Sequence, residues 1–306
     1  MNKKLFFILG FLVILIVGVF ALSNFTKQTI NKSGKLQVAA SFYPMYFFAS
    51  QIGGDKADVT SITPASAEPH DYEPTTQDLV RIQNSNMLVL NGGALEAWGN
   101  KIKGQLPANV LVVTAGEGLA NKQLNENGQI IQDPHIWLDP ILAKKEVAVI
   151  EKGFEKLDPK NAGYFQANAK KLDKDLDALD IEYSHAFTSC TQQDFVTSHA
   201  AFGYLGAQYG INQIPISGVS PDEEPSTQKM VEITNLVKAK NIKVVFFESL
   251  ISPKLSETIA NETGARAMVL DPIEGLTKDE IASGQNYLTI MRQNLNNLQI
   301  ALQCQK

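Results

Sequence analysis

Beyond Gly34 the chain alternates short apolar or β-branched runs with longer amphipathic stretches, and that alternation leaves few folds open to it. In the first half the runs are Leu36-Gln37-Val38-Ala39-Ala40, Val59-Thr60-Ser61-Ile62, Met87-Leu88-Val89-Leu90 and Val110-Leu111-Val112-Val113. In the second half they are Phe195-Val196-Thr197, Ile214-Pro215-Ile216, Val244-Val245-Phe246-Phe247 and Ala267-Met268-Val269-Leu270. Short apolar runs separated by helical patterns are the signature of βα units, whose strands pair in parallel beneath covering helices. An α/β fold with mainly parallel sheets flanked by helices is therefore predicted. The two halves repeat an architecture without repeating a sequence.

Between them lies a long helical candidate opened by Asp158-Pro159, a capping residue followed by a first-turn proline. Phe165, Leu172, Leu176, Leu179 and Tyr183 fall on one stripe at helical spacing. Lys170, Lys171, Asp173, Lys174, Asp175 and Asp177 occupy the other face as a solvated charge run. A helix over 160–187 would be about 40 Å long at ~1.5 Å per residue, enough to run along both halves. The predicted organisation is a first lobe over 36–157, a linker helix over 158–187 and a second lobe over 188–306.

The first residues read as an address. Two lysines, Lys3 and Lys4, precede residues 5–22, which carry no charge. The length of that stretch lies between a cleavable signal peptide, over residues 1–23, and an uncleaved membrane anchor, and either would place the rest outside the cytoplasm. No cysteine follows the apolar stretch to accept a lipid, so a lipoprotein anchor is not expected. Residues 24–35, polar and without apolar periodicity, read as a flexible tether. A formal net charge of −5 offers no basic surface for nucleic acid. Only two cysteines occur, Cys190 and Cys304, and an exported chain meets a disulfide-permissive compartment, so a bridge between them is expected, with two unrelated buried thiols as the alternative.

The chemistry-bearing residues are concentrated. Of four histidines, three sit in short segments: Pro69-His70-Asp71-Tyr72-Glu73-Pro74, Asp133-Pro134-His135-Ile136-Trp137-Leu138-Asp139-Pro140 and Thr197-Ser198-His199-Ala200-Ala201-Phe202. A lone histidine is most often a hydrogen-bonded structural residue, but neutral imidazole is also the commonest ligand for borderline transition metals, and three grouped in this way point to joint use. His70 falls on a loop, and His199 and Asp271 directly follow strand-like runs, where open α/β sheets gather their ligands. The fourth histidine, His185, falls on the linker helix and reads as a surface residue.

These segments, in this order, resemble the ZnuA-like metal-binding receptors of bacterial ABC importers, and the resemblance runs from about residue 36 to the C-terminus. It implies two α/β lobes joined by a rigid backbone helix with a metal at their interface. It makes His70, His135 and His199 the imidazole ligands and Asp271, in Leu270-Asp271-Pro272, the carboxylate, although an Asp-Pro at a strand end more commonly forms a turn. Glu73 is a candidate accessory ligand or a carboxylate behind a ligand, in competition with Asp71, Asp133 and Asp139. The stretches Asn91-Gly92-Gly93 and Gly218-Val219-Ser220-Pro221 also match and read as structural. The implied function is an extracytoplasmic solute-binding component that captures Zn²⁺ and hands it to a membrane permease with its ATPase. Three imidazoles and one carboxylate suit tetrahedral Zn²⁺, whereas Mn²⁺ prefers more oxygen donors; manganese-type relatives commonly carry glutamate where His199 stands. Against that, the histidine-rich loop of many zinc receptors is missing, since residues 117–132 contain no histidine. The competing readings are an Mn²⁺ receptor, an exported zinc hydrolase and an adhesin. No His-Glu-x-x-His or Gly-x-Ser-x-Gly pattern supports an enzyme.

Overall fold

Each apolar run becomes a strand, with small shifts at the ends. A computed structural model of the chain describes residues 34–305 other than 94 and 127, so the apolar stretch 5–22 and most of the tether lie outside the described residues. The first sheet contains β1 (Leu36–Ala40), β2 (Ala57–Ser61), β3 (Met87–Leu90) and β4 (Leu111–Thr114) in the order β2-β1-β3-β4, all parallel. The central strand β3 is buried at every position, as expected of a strand covered on both faces. Its connections run through α1 (Tyr43–Gly53), α2 (Thr76–Gln83) and α3 (Ala97–Lys103). A small antiparallel hairpin, β5 (Gln123–Glu126) with β6 (Gln129–Gln132), leads into the segment that carries His135.

The chain then enters α4 (Pro140–Leu157). Asp139 caps this helix by accepting from the amides of Ile141 and Leu142. The predicted linker helix is α5, Ala162–Ala186, 25 residues long and so about 37 Å at ~1.5 Å per residue. It begins later than the Asp158-Pro159 signal suggested because Pro159–Asn161 forms a 3₁₀ turn first. The expected stripe of Phe165, Leu172, Leu176, Leu179 and Tyr183 is buried, joined by Ala169 and Ala186.

The second half repeats the arrangement with β7 (Asp194–Thr197), α6 (Gly203–Tyr209), β8 (Asn212–Pro215), α7 (Thr227–Ala239), β9 (Val244–Phe247), α8 (Lys254–Thr263) and β10 (Arg266–Val269). Its sheet order is β10-β9-β7-β8, again parallel throughout. A short α9 (Lys278–Ala282) and the long α10 (Tyr287–Ala301) complete the chain's regular structure.

One contiguous apolar core runs from Val38, Val89 and Val113 of the first sheet, through Leu172, Leu176 and Tyr183 of α5, to Phe195, Val244 and Phe246 of the second. The helix is thus packed into both lobes at once, and the Tyr183 hydroxyl donates to the Met291 carbonyl of α10 at 2.7 Å. The expected disulfide joins Cys190 to Cys304 across a separation of 114 residues and ties the end of α10 to the start of the second lobe. On a chain-entropy estimate such a long loop is worth roughly 4–5 kcal/mol. Among the described residues no helix is long and apolar enough to cross a membrane.

Since Leu176 is fully buried at the centre of the α5 stripe, Leu176→Ala should lower the unfolding free energy by about 2–5 kcal/mol in urea denaturation. A loss below about 1 kcal/mol would contradict the shared core.

Candidate metal centre

Three histidines reach one point from three different elements. His70 stands on the loop between β2 and α2, its backbone N–H donating to Glu68 Oε1 at 3.1 Å. His135 opens the 3₁₀ turn Ile136–Leu138, held from behind by Asn91, whose amide donates to the Pro134 carbonyl at 3.0 Å. Asn91 and Gly92 in turn donate their backbone N–H groups to the buried Glu96 carboxylate, both at 2.8 Å. Gly92 has a φ of +95°, a conformation that suits glycine. His199 follows the carboxyl end of β7, and Gln213 fixes the turn by donating to the His199 carbonyl at 2.8 Å.

His135 Nε2 lies 3.2 Å from His70 Nε2 and 3.1 Å from His199 Nε2. The carboxylate that meets them is Glu274. Its Oε1 is 3.3 Å from His70 Nε2, 3.1 Å from His135 Nε2 and 3.4 Å from His199 Nε2. These four residues each offer one donor atom, all within 4.8 Å of one another. The cluster is shielded from solvent: the side chains of His135 and His199 are 0% exposed, Glu274 1% and His70 6%.

At two of the three histidines the other imidazole nitrogen is committed. His135 Nδ1 lies 2.8 Å from Asp133 Oδ1, and His199 Nδ1 lies 2.7 Å from Glu248 Oε1, which also accepts from the Ser198 hydroxyl. An Nδ1–H donated to a carboxylate leaves the Nε2 lone pair pointing inward, the tautomer a metal requires. The charges follow. Burial alone would lower the pKa of His199, but Glu248 and Glu274 outweigh it and hold the imidazole well above its usual range. Burial likewise opposes protonation of His135, and Asp133 and Glu274 reverse it. At His70 burial wins and the pKa falls. Burial would raise Glu274, yet the three histidines pull it well below the usual carboxylate range.

Asp271, the carboxylate expected from the sequence, is not brought into this group. Its Oδ1 accepts from the Ile273 N–H at 2.6 Å, its second oxygen accepts from the Ser249 hydroxyl, and its backbone N–H donates to Asn294 Oδ1 at 2.9 Å. Burial pushes its pKa up to about 7 against the pull of those donors. It behaves as the turn former that an Asp-Pro at a strand end ordinarily is. Glu73 is not brought there either: it sits exposed, 3.2 Å from Lys101 Nζ. Asp139 is occupied as the cap of α4. His185 is exposed near the end of α5.

Sequence reasoning missed two carboxylates. Glu248 follows the carboxyl end of β9 directly, a position that open α/β sheets turn toward their cleft and that could have been singled out on that ground. Glu274 carries no such signal, because its position depends on the conformation of the three residues before it.

Comparison with known proteins bears on what the cluster does. Residues 38–301 match the ZnuA family, described as zinc-uptake complex component A, periplasmic. The chain is 38% identical over 302 residues to the high-affinity zinc uptake system protein ZnuA of Bacillus subtilis, covering 94% of each chain. It is 35% identical to the zinc-binding protein AdcA of Streptococcus pyogenes over 98% of its own length but only 62% of that protein's. Among solved structures, the Zn(II)-bound ZnuA-like domain of Streptococcus pneumoniae AdcA superposes with a TM-score of 0.77 at 36% identity, covering 88% of this chain and 99% of that one.

A group whose pKa is raised on folding stabilises the fold below its unfolded value and loses that contribution as the pH climbs through the folded one. In metal-free protein the raised pKa of His199 should therefore make the urea midpoint fall as the pH rises from about 6.5, and Glu248→Gln should move that decline to lower pH. A midpoint that is level or rising across this range would contradict the assigned charges.

Proposed function

The chain belongs to the ZnuA family of zinc-uptake components, and from that premise we propose that it is the extracytoplasmic receptor of an ABC importer that captures Zn²⁺ through His70, His135, His199 and Glu274. The observation that carries this reading is the convergence of three imidazole Nε2 atoms and one carboxylate oxygen, all within 4.8 Å of one another, with His135 Nε2 and Glu274 Oε1 each 3.1–3.4 Å from the other donors. With Nδ1 of His135 and His199 turned to carboxylates, the inward lone pairs repel one another unless a cation or protons stand between them. Zinc bonded at about 2.0–2.1 Å to four tetrahedral ligands separates its donor atoms by roughly 3.3–3.4 Å, close to the spacing that His135 Nε2 and Glu274 Oε1 keep from the other donors.

Zinc is favoured over Mn²⁺ for the same reasons. The donor set is nitrogen-rich, and one carboxylate among three imidazoles supplies too few oxygens for a hard six-coordinate ion. Zinc here is cargo. Four protein donors complete a tetrahedral shell and leave no position for an activated water, which fits a binding protein and not a hydrolase. Residues 36–157 contribute His70 and His135 and residues 188–306 contribute His199 and Glu274, so each lobe supplies half of the shell. The loaded receptor, a monomer, docks on the permease whose ATPase drives transport, and residues 5–22 hold it at the outer face of the membrane or direct its export. The long α5, packed into both lobes, favours a small relative motion on loading over wide hinge closure.

Binding should release protons. His199 is held charged near neutrality by Glu248 and Glu274, so zinc must displace its proton, and affinity should fall as the pH is lowered. Elemental analysis and competitive titration of the protein without a histidine tag should find one equivalent of zinc that excess Mn²⁺ does not displace. His199→Ala and Glu274→Gln should each weaken it by at least about 10–100-fold. Full displacement by manganese, or undiminished zinc affinity in both variants, would defeat this assignment.

His199→Glu should shift preference toward Mn²⁺ by adding an oxygen donor. An unchanged ratio of the two affinities would remove the third ligand from the selectivity argument.

A further inference from the structure

The carboxylate at the cluster has no anchor of its own. Glu274 Oε1 lies within 3.4 Å of all three imidazole Nε2 atoms, and Oε2 is buried without a hydrogen-bond partner. Its aim must therefore come from the backbone that carries it, and that backbone is unusual. Ile273 is fully buried with a φ of +59°, in the left-handed region that a β-branched residue rarely enters. Such a conformation persists only where the surroundings over-determine it.

Here they do. Pro272 fixes its own φ. Asp271 Oδ1 accepts from the Ile273 N–H at 2.6 Å, closing an Asx turn around the proline. Asp271 is itself held by the Ser249 hydroxyl and by Asn294 of α10, which accepts from its N–H at 2.9 Å and donates to its carbonyl at 2.6 Å. Trp137, two residues beyond His135, donates its indole N–H to the Pro272 carbonyl at 2.7 Å. On the far side Ser66 of the His70 loop donates its N–H to the Leu276 carbonyl at 3.0 Å. The turn over residues 271–276 is thus clamped by α10, by the end of β9 and by both histidine-bearing segments of the first lobe.

We propose that Asp271 is a positioning residue: by holding Ile273 in the left-handed turn it fixes one oxygen of Glu274 against the three imidazoles and so restricts the site to four-coordinate ions. The inference rests on the receptor reading above and adds a source of selectivity to it. A carboxylate free to swing could chelate an ion through both oxygens, or withdraw and admit water, and either outcome suits a larger coordination number. A clamped one offers Oε1 alone.

The test compares three variants using Zn²⁺ affinity and the visible spectrum of bound Co²⁺, which is intense for tetrahedral and weak for six-coordinate cobalt. Asp271→Ala removes the turn acceptor; Asp271→Asn keeps an oxygen toward the Ile273 N–H while removing the charge. Asp271→Ala is expected to lose about 10–100-fold in zinc affinity, as partners behind a ligand typically do, and to replace the intense cobalt bands with weak ones. Asp271→Asn is expected to retain both properties. A folded Asp271→Ala protein with full affinity and the intense spectrum would overturn the proposal. So would an Asp271→Asn protein as impaired as the alanine variant, since that would make the charge itself, and not the turn, what matters. Should Asp271→Ala fail to fold, Ser249→Ala withdraws one support from the same carboxylate, and an unaltered affinity and spectrum there would overturn the proposal in its place. Undiminished zinc binding by Glu274→Gln would instead refute the receptor site, so the two failures are distinguishable.

Discussion

Four donor atoms held within 4.8 Å of one another, in a place almost closed to water, form the constraint to which the rest of the structure answers. Buried imidazoles and a buried carboxylate are costly unless each is paired, and here they are paired chiefly with one another and with the carboxylates behind them. The arrangement stores an affinity for positive charge. Protons satisfy it in part, as the elevated pKa of His199 attests, and a divalent cation satisfies it more fully.

The fold delivers those atoms with little freedom. Two parallel sheets direct the carboxyl ends of their strands toward a shared cleft. The long helix α5 has its apolar stripe in the same core as both sheets. Around the donors, a network crosses the lobe boundary: Trp137 to the Pro272 carbonyl, Tyr287 to the Trp137 carbonyl at 2.5 Å, Ser66 to the Leu276 carbonyl, and Tyr204 to the Asp133 carbonyl at 3.1 Å. Each of these bonds joins the backbone close to one residue of the cluster to an element of the other lobe. Local displacement at one ligand is therefore resisted by residues on the opposite side.

Much of this was legible in the sequence, and the gaps have physical reasons. Alternating runs gave the parallel sheets because a strand covered on both faces must be apolar throughout, as β3 is. The stripe from Phe165 to Tyr183 marked α5 because helical spacing is imposed by geometry; its first turn, Pro159–Asn161, is 3₁₀, a distinction that sequence spacing alone does not make. The three histidines that meet were the ones in segments that resemble the family, and two of them, His70 and His135, also sit among carboxylates and prolines. The carboxylate that joins them is Glu274 and not the expected Asp271, because proximity along the chain does not decide which carboxylate faces a cleft. Between Asp271 and Glu274 stands one residue in a left-handed conformation, and no pattern in Asp-Pro-Ile-Glu announces that an isoleucine will adopt it. Glu73 failed as a candidate for a related reason, since an exposed lysine on α3 was available to it.

The receptor reading stands or falls on the identity and number of the atoms around the captured ion. X-ray absorption at the zinc edge, on protein loaded with one equivalent, measures both directly. The expected result is four light-atom ligands at about 2.0–2.1 Å, with the outer-shell scattering of three imidazoles and no sulfur. A shell of six ligands, or one containing fewer than three imidazoles, would contradict it.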